Sequence, residues 1–311
     1  MRSEYNRFIG CNAEFEEAEY VLFGAPFDGT TSYRPGTRFG PSVMRRESFG
    51  IETYSPYQYC DLEDCAVFDA GDLELPFGNT ERVLEMIEHM TSKIITRDKK
   101  PVMLGGEHLV TLGAVRALVK KYPDLRIIHL DAHADLRDEY LGEKLSHATV
   151  MRRCSELVGM KNIYQFGIRS GTADEFLFGR IQNPIFGLEN VDEEIENILF
   201  VAQDYPVYIT LDLDVLDPSI FPGTGTPEHN GFTVSEVLAY TMAFSDLNIV
   251  GFDLVELSPP YDPSGISAAA ANLILREMLI YYSQFNRSQQ IAENSSLDDI
   301  DDLEIDTEFI I

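Results

Sequence analysis

The order of apolar and polar positions divides the chain into short apolar runs that alternate with amphipathic stretches. Ala18 to Gly24 reads as a buried strand, followed by a Gly/Pro-rich loop from Ala25 to Pro41 and a short helix after Pro41. Asp61 to Gly71 reads as a brief strand. Thr80 is the expected cap of a helix whose Val83, Ile87, Met90 and Ile94 recur at helical spacing. Pro101 to Leu109 is the next strand, and Gly105-Gly106 lets the backbone turn sharply into a helix ending near Pro123. Further strands are expected at Ile127 to Asp135, Ile163 to Phe166, Pro184 to Phe186, Tyr205 to Val215 and Ile249 to Glu256. Helices are expected over Ala148 to Arg153, between Glu189 and Val201, after the capping box Thr233-Val-Ser-Glu236, and over 266 to 283. Strands alternating with helical crossovers of this length predict a single α/β sheet, mostly parallel and covered on both faces.

Residues 1–286 carry this pattern and read as one domain. Residues 287–311 break it, with eight Asp or Glu against one Arg and no helical face that could pack. They read as an acidic, disordered tail.

Composition narrows the partners. A formal charge of -28, from 52 acidic against 24 basic residues, argues against nucleic acid or an anionic membrane surface. It favours a cationic substrate, or serves solubility alone. Cys11, Cys60, Cys65 and Cys154 are scattered without a CxxC pair, as expected of free thiols in a reducing compartment. No signal-peptide pattern opens the chain and no apolar run has the length of a membrane span, so a cytoplasmic protein is expected.

The chemistry concentrates where apolar runs end. Ile127-Ile-His-Leu-Asp-Ala-His-Ala-Asp135 closes on Asp131, His133 and Asp135 at a spacing of two, which in an extended strand turns all three side chains to one face. Asp212 and Asp214 close a second run in the same way, and His108 lies just past the end of a third. In open parallel sheets, ligand sites form beyond the carboxyl ends of the strands. Such polar ends can simply meet solvent. Six convergent ligands instead suit two divalent cations that share carboxylates at about 3.5 to 4 Å, and their mostly hard oxygen character favours Mn²⁺ over zinc or copper. His147, in the loop after the first cluster, could return a proton to a leaving amine, and Glu256 could orient a cation. Gly105-Gly106 lacks the pattern of a phosphate loop. No phosphate cradle accompanies Asp212-Leu-Asp214, which sets aside a nucleotide-sugar enzyme or a phosphatase. His129 is expected to be a hydrogen-bonded core residue, His89 a surface residue and His229 an exposed loop residue.

Several of these segments, in this order, resemble the signatures of the ureohydrolase superfamily, which includes arginase and agmatinase. They are Gly105-Gly-Glu-His108, Asp131-Ala-His-Ala-Asp135, Ser146-His147, Asp212-Leu-Asp214 with Asp217-Pro218, Gly223-Thr-Gly-Thr-Pro227 and Glu256-Leu-Ser-Pro-Pro-Tyr-Asp262. Arg34-Pro-Gly-Thr-Arg-Phe-Gly-Pro41 and Gly167-Ile-Arg-Ser-Gly171 resemble the agmatinase branch. The likeness spans residues 18 to 282. It implies a three-layer α/β/α domain around a mainly parallel sheet of about eight strands. It also implies one Mn²⁺ on His108, Asp131, Asp135 and Asp212, and a second on Asp131, His133, Asp212 and Asp214. His147 would move a proton, Glu256 would hold the substrate guanidinium, and Asp135 is counted with them as catalytic. The implied reaction is hydrolysis of agmatine to putrescine and urea by a hydroxide bridging two Mn²⁺ ions, in a homotrimer or homohexamer.

Arg137-Asp-Glu-Tyr-Leu-Gly-Glu143 carries more acid than base, which would welcome an amine and repel a carboxylate. Asp138 and Tyr140 are the candidate substrate contacts there. Guanidinobutyrate, guanidinopropionate and arginine stay open as substrates of the same chemistry, and a metal-binding protein without catalysis stands as the competing class. Ala134 and Glu228-His-Asn230 depart from the family's usual pattern, and His229 could reshape the pocket mouth.

Overall fold

The computed structural model describes residues 7–182, 185–186 and 191–283, with side chains omitted over 181–192. In chain order its elements are β1 (Tyr20–Ala25), α1 (Gly40–Glu47), β2 (Tyr54–Ser55), β3 (Cys60–Asp61), β4 (Val67–Asp72), α2 (Thr80–Ile95), β5 (Lys100–Gly105), α3 (Thr111–Lys121) and β6 (Arg126–Leu130). They continue with α4 (Val150–Val158), β7 (Ile163–Phe166), α5 (Ala173–Gln182), β8 (Ile185–Phe186), α6 (Val191–Ala202), β9 (Pro206–Asp212), α7 (Val234–Ala243), β10 (Asn248–Val255) and α8 (Ile266–Tyr281). Eight strands form one sheet in the order β4-β1-β5-β10-β9-β6-β7-β8, and every pairing in it is parallel. Strands β2 and β3 make a separate antiparallel pair.

The strands are buried on both faces, which explains why they read as continuous apolar runs. One apolar cluster takes Leu22, Ile209, Leu211 and Phe252 from one face and packs them against Met44, Tyr240, Leu275 and Leu279 of α1, α7 and α8. The other takes Val21, Phe23, Met103 and Ile127 from the opposite face, against Ile87, Val115 and Cys154 of α2, α3 and α4. The result is the expected three-layer α/β/α arrangement.

Strands β5 and β6 follow one another in sequence but are separated in the sheet by β10 and β9. The carboxyl ends of four adjacent strands therefore open on one crevice, the usual place for a ligand in this architecture. At the end of β5 the chain turns against the loop after β1. Gly106 donates to Ala25 O at 2.9 Å, and a Cβ on Gly106 would lie 1.9 Å from the Phe27 carbonyl oxygen, so only glycine fits there.

Local differences have local causes. The cap of α2 is Asn79, whose side chain accepts from Arg82 N at 3.0 Å; Thr80 is its first helical residue. The expected strand from Asp61 to Gly71 is broken by a 3-10 turn over Leu62–Asp64. Helix α5 has no expected counterpart. Gly179 interrupts it and Leu177 is exposed, so its apolar residues form no single stripe. The capping box of α7 is as read, with Thr233 N donating to Glu236 Oε2 at 2.7 Å and Glu236 N to Thr233 Oγ1 at 3.2 Å. The acidic segment 287–311 lies outside the described residues.

Candidate functional site

Strand β6 stops at Leu130, so Asp131, His133 and Asp135 do not lie on an extended strand as expected. They lie on a loop tied to the neighbouring strand end, with Asp131 N donating to Phe166 O at 3.1 Å and Ala134 N to Ser170 O at 3.0 Å. Asp135 takes a left-handed backbone, φ 52°, and that turn rather than the pleat swings its carboxylate back beside Asp131. The second pair behaves alike. Asp212 ends β9, and Asp214 sits in a 3-10 turn capped by Asp212, whose Oδ1 accepts from Asp214 N at 2.9 Å.

These turns bring five of the groups around two imidazole nitrogens. His108 Nδ1 lies 3.0 Å from Asp131 Oδ2, 3.1 Å from Asp212 Oδ2 and 3.3 Å from Asp135 Oδ2. None of these contacts has hydrogen-bond geometry, which leaves Nδ1 a buried nitrogen without a partner. His133 Nδ1 lies 3.0 Å from Asp214 Oδ2 and 3.4 Å from Asp131 Oδ1. Asp131 thus offers one oxygen to each group.

The cluster is short of positive charge. Burial pushes the Asp212 carboxyl well above its ordinary value, reinforced by Asp214 and Asp131. Burial and the Asp131 charge push Asp135 up to about 7. Burial alone would lower His108, yet Asp131, Asp135 and Asp212 together raise it well above the usual imidazole range. All three shifts say that positive charge is favoured at the point the donors share. An orphaned imidazole nitrogen among hard carboxylate oxygens is the donor set of a divalent cation, and Asp131 can serve two. The residues present therefore fit a two-cation centre.

Neighbouring groups hold the donors in place. His129 is fully buried, as expected, and takes no cation position. Gln165 Nε2 donates to His129 Nδ1 at 2.9 Å and to Ala134 O at 2.8 Å, so His129 Nε2–H is left to donate to Asp131 Oδ2 at 2.8 Å. His108 Nε2 lies 2.9 Å from Thr210 Oγ1, which belongs to a buried network with Asp253, Thr111 and Tyr208.

Above the cluster is a cavity of about 200 Å³ lined by His108, His133, Asp135, Asp212, Asp214, His147 and Glu256, among others. Glu256 follows β10 in a left-handed conformation, φ 64°, and its Oε1 accepts from His108 N at 2.8 Å. Burial, Asp214 and Glu107 raise its carboxyl well above the ordinary value, so a cation beside it is strongly favoured. His147 Nδ1 lies 2.9 Å from the Thr30 carbonyl oxygen. A carbonyl can only accept, so Nδ1 carries the proton and Nε2 presents its lone pair, 3.3 Å from Ser32 Oγ. Burial lowers His147 to about 4 and keeps it neutral.

Thr30 is itself fixed from below. Its N and Oγ1 both donate to the fully buried Glu107 carboxylate, at 2.8 and 2.5 Å, while Oγ1 accepts from His147 N at 3.0 Å. Sequence reasoning assigned no role to Glu107, although its place beside His108 in Gly-Gly-Glu-His was a signal.

The loop after Asp135 is oriented differently from its composition. Tyr140 lines the cavity and meets the His147 ring edge-on, with centroids 5.8 Å apart. Asp138 is not among the lining residues; its Oδ1 accepts from Arg153 Nη2 at 2.8 Å. Glu139 and Glu143 are exposed, and the charged residue that does line the cavity is Arg137. The acidic excess of this loop therefore gives no support for an amine. His229 is exposed, and its carbonyl accepts from Arg169 Nε at 3.1 Å.

Residues 18–281 match the sequence model of the arginase family. The chain is 49% identical to the agmatinase of Bacillus subtilis (strain 168) over 275 residues, which cover 88% of this chain and 95% of that protein. It is 37% identical to the mitochondrial guanidino acid hydrolase of Homo sapiens over 276 residues, 85% and 78% of the two chains. The solved structure of agmatine ureohydrolase of Thermoplasma volcanium superposes with a TM-score of 0.83 at 34% identity, covering 93% of this chain and 96% of that one.

Proposed function

The chain belongs to the arginase family, and from that premise we propose that it is a binuclear manganese amidinohydrolase cleaving agmatine to putrescine and urea. The observation that carries this reading is the cluster of four carboxylates and two imidazoles beneath a cavity that also presents Glu256 and His147. The choice of agmatine is supported by the relative of that activity, which matches over most of both chains.

His108, Asp131, Asp135 and Asp212 would hold one cation, and Asp131, His133, Asp212 and Asp214 the other. When bound, such a pair supplies Lewis acidity that makes water acidic enough to attack near neutral pH. The chain's own groups do the rest. Glu256, fixed by His108 N, accepts N–H bonds from the guanidinium and sets its carbon above the cluster. His147 Nε2 takes up a proton as water adds to that carbon and returns it to the departing amine nitrogen. Thr30 keeps the ring in the tautomer this transfer requires. Burial excludes bulk water and strengthens each of these contacts.

Among the described residues, no helix is long and apolar enough to cross a membrane. A cytoplasmic homotrimer or homohexamer completes the reading. Urea release by manganese-loaded protein on agmatine and arginine tests it, with agmatine the preferred substrate. No urea from agmatine would remove the reading.

A further inference from the structure

The cavity wall carries one charge that guanidinium chemistry does not use. Arg137 stacks on Tyr140, with its guanidinium 4.8 Å from the ring centroid. Its Nε lies 3.5 Å from Glu175 Oε2, too long for a firm hydrogen bond. Glu175 is already satisfied, accepting from Leu136 N at 3.0 Å, Thr172 N at 2.8 Å and Thr172 Oγ1 at 2.9 Å. This buried carboxylate anchors the loop, and it leaves Arg137 with spare donors. The terminal guanidinium nitrogens have no hydrogen-bond partner among the described residues. A rigid, permanently charged fork beside Tyr140 matches a carboxylate bidentately and repels an ammonium. With Asp138 turned to Arg153 and Glu139 and Glu143 exposed, no acid of this loop lines the cavity to cancel it.

We propose that Arg137 determines specificity at the end of the site remote from the guanidinium, admitting ω-guanidino carboxylates as a second substrate class beside agmatine. The inference rests on the guanidine-hydrolysing reading but not on agmatine as the substrate. Arg137 touches the group that is not cleaved, so it acts on binding, through KM rather than kcat.

The test compares wild-type, Arg137→Gln and Arg137→Lys proteins loaded with manganese. Urea release from agmatine and from 4-guanidinobutanoate gives kcat and KM for each. Calorimetric titration with putrescine and with 4-aminobutanoate gives far-end affinity without turnover. In Arg137→Gln, kcat/KM for 4-guanidinobutanoate is expected to fall at least about tenfold through KM, with agmatine unchanged or improved. The affinity for 4-aminobutanoate should weaken in parallel, and Arg137→Lys should retain most of both. Equal effects on the two substrates, or no effect on the carboxylates, would overturn the assignment. So would a wild-type protein that neither cleaves 4-guanidinobutanoate nor binds 4-aminobutanoate, while agmatine hydrolysis still stood. Cleavage of 4-guanidinobutanoate without cleavage of agmatine would remove the agmatine reading and leave Arg137 in place.

Discussion

His108 Nε2 and Thr210 Oγ1 lie 2.9 Å apart, and this contact fixes which nitrogen of His108 faces the carboxylates. Thr210 has one hydroxyl proton, and it is committed to Asp253 Oδ1 at 2.6 Å. Toward His108 the hydroxyl can only accept, so Nε2 carries the ring proton and Nδ1 is left as a lone pair. Asp253 is held in turn by Thr111 Oγ1 at 2.9 Å and Tyr208 OH at 2.7 Å. A strand, its neighbour and the start of α3 thus prepare one imidazole as a ligand.

Replacing Thr210 by Val removes the acceptor without changing the side chain's shape. Manganese affinity should fall by about 10- to 100-fold. Thr210→Ser, which keeps the hydroxyl, should restore most of it. Calorimetric metal titration of the three proteins gives the answer, and equal affinity in Thr210→Val would mean that the contact orients nothing.

His147 is neutral in the structure because burial lowers it to about 4. His147→Ala should reduce kcat by about 10² to 10⁴ with bound metal unchanged. At saturating metal the wild-type rate should show no acid limb near the ordinary histidine value of about 6.5. A limb there that disappears in the variant would show that His147 titrates as an exposed imidazole does.

Much of this centre was legible because its ligands follow apolar runs closely, and parallel strands deliver their carboxyl ends to one crevice. The local reason was different. Left-handed Asp135 and the 3-10 turn at Asp214 bend the chain after each strand has ended, a geometry that a spacing of two does not distinguish from a pleat. The supporting groups were harder to see. Thr210 and Asp253 lie inside apolar strands, and their partnership depends on β9 and β10 being neighbours, which periodicity does not specify. Side-chain direction in the loop after Asp135 was likewise hidden. Its composition is acidic, yet Arg153 draws Asp138 away and Arg137 lines the cavity.

Glu256→Gln separates function from stability. The amide oxygen can still accept from His108 N, so the local backbone should persist. The charge that attracts a guanidinium is gone, and losing a charge-assisted contact of about 1.5–3 kcal/mol lowers kcat/KM by about one to two orders of magnitude. Burial, Asp214 and Glu107 all disfavour the Glu256 anion in the empty site, so the variant's melting temperature should not fall. Activity and thermal denaturation measured on the same preparation test both halves, and a large loss of Tm would show that Glu256 is chiefly structural.

Metal removal should make stability depend on pH with a definite sign. In the cation-free protein, Asp135 titrates at about 7, raised by burial and by Asp131, against about 3.9 in the unfolded chain. The folded state then binds the proton more tightly, so its contribution is full below about pH 4 and is lost as pH rises toward 7. Asp212 and His108 are raised as well and act in the same direction. Asp131 is shifted the other way: burial would raise it, but His129, His108 and His133 outweigh that and hold it well below the ordinary value, which places its effect in acid. Chelator-treated protein should therefore melt at a lower temperature at pH 8 than at pH 5.5, and added manganese should restore the loss mainly at pH 8. A cation-free protein whose melting temperature rises over that interval would contradict the crowding of carboxylates around His108.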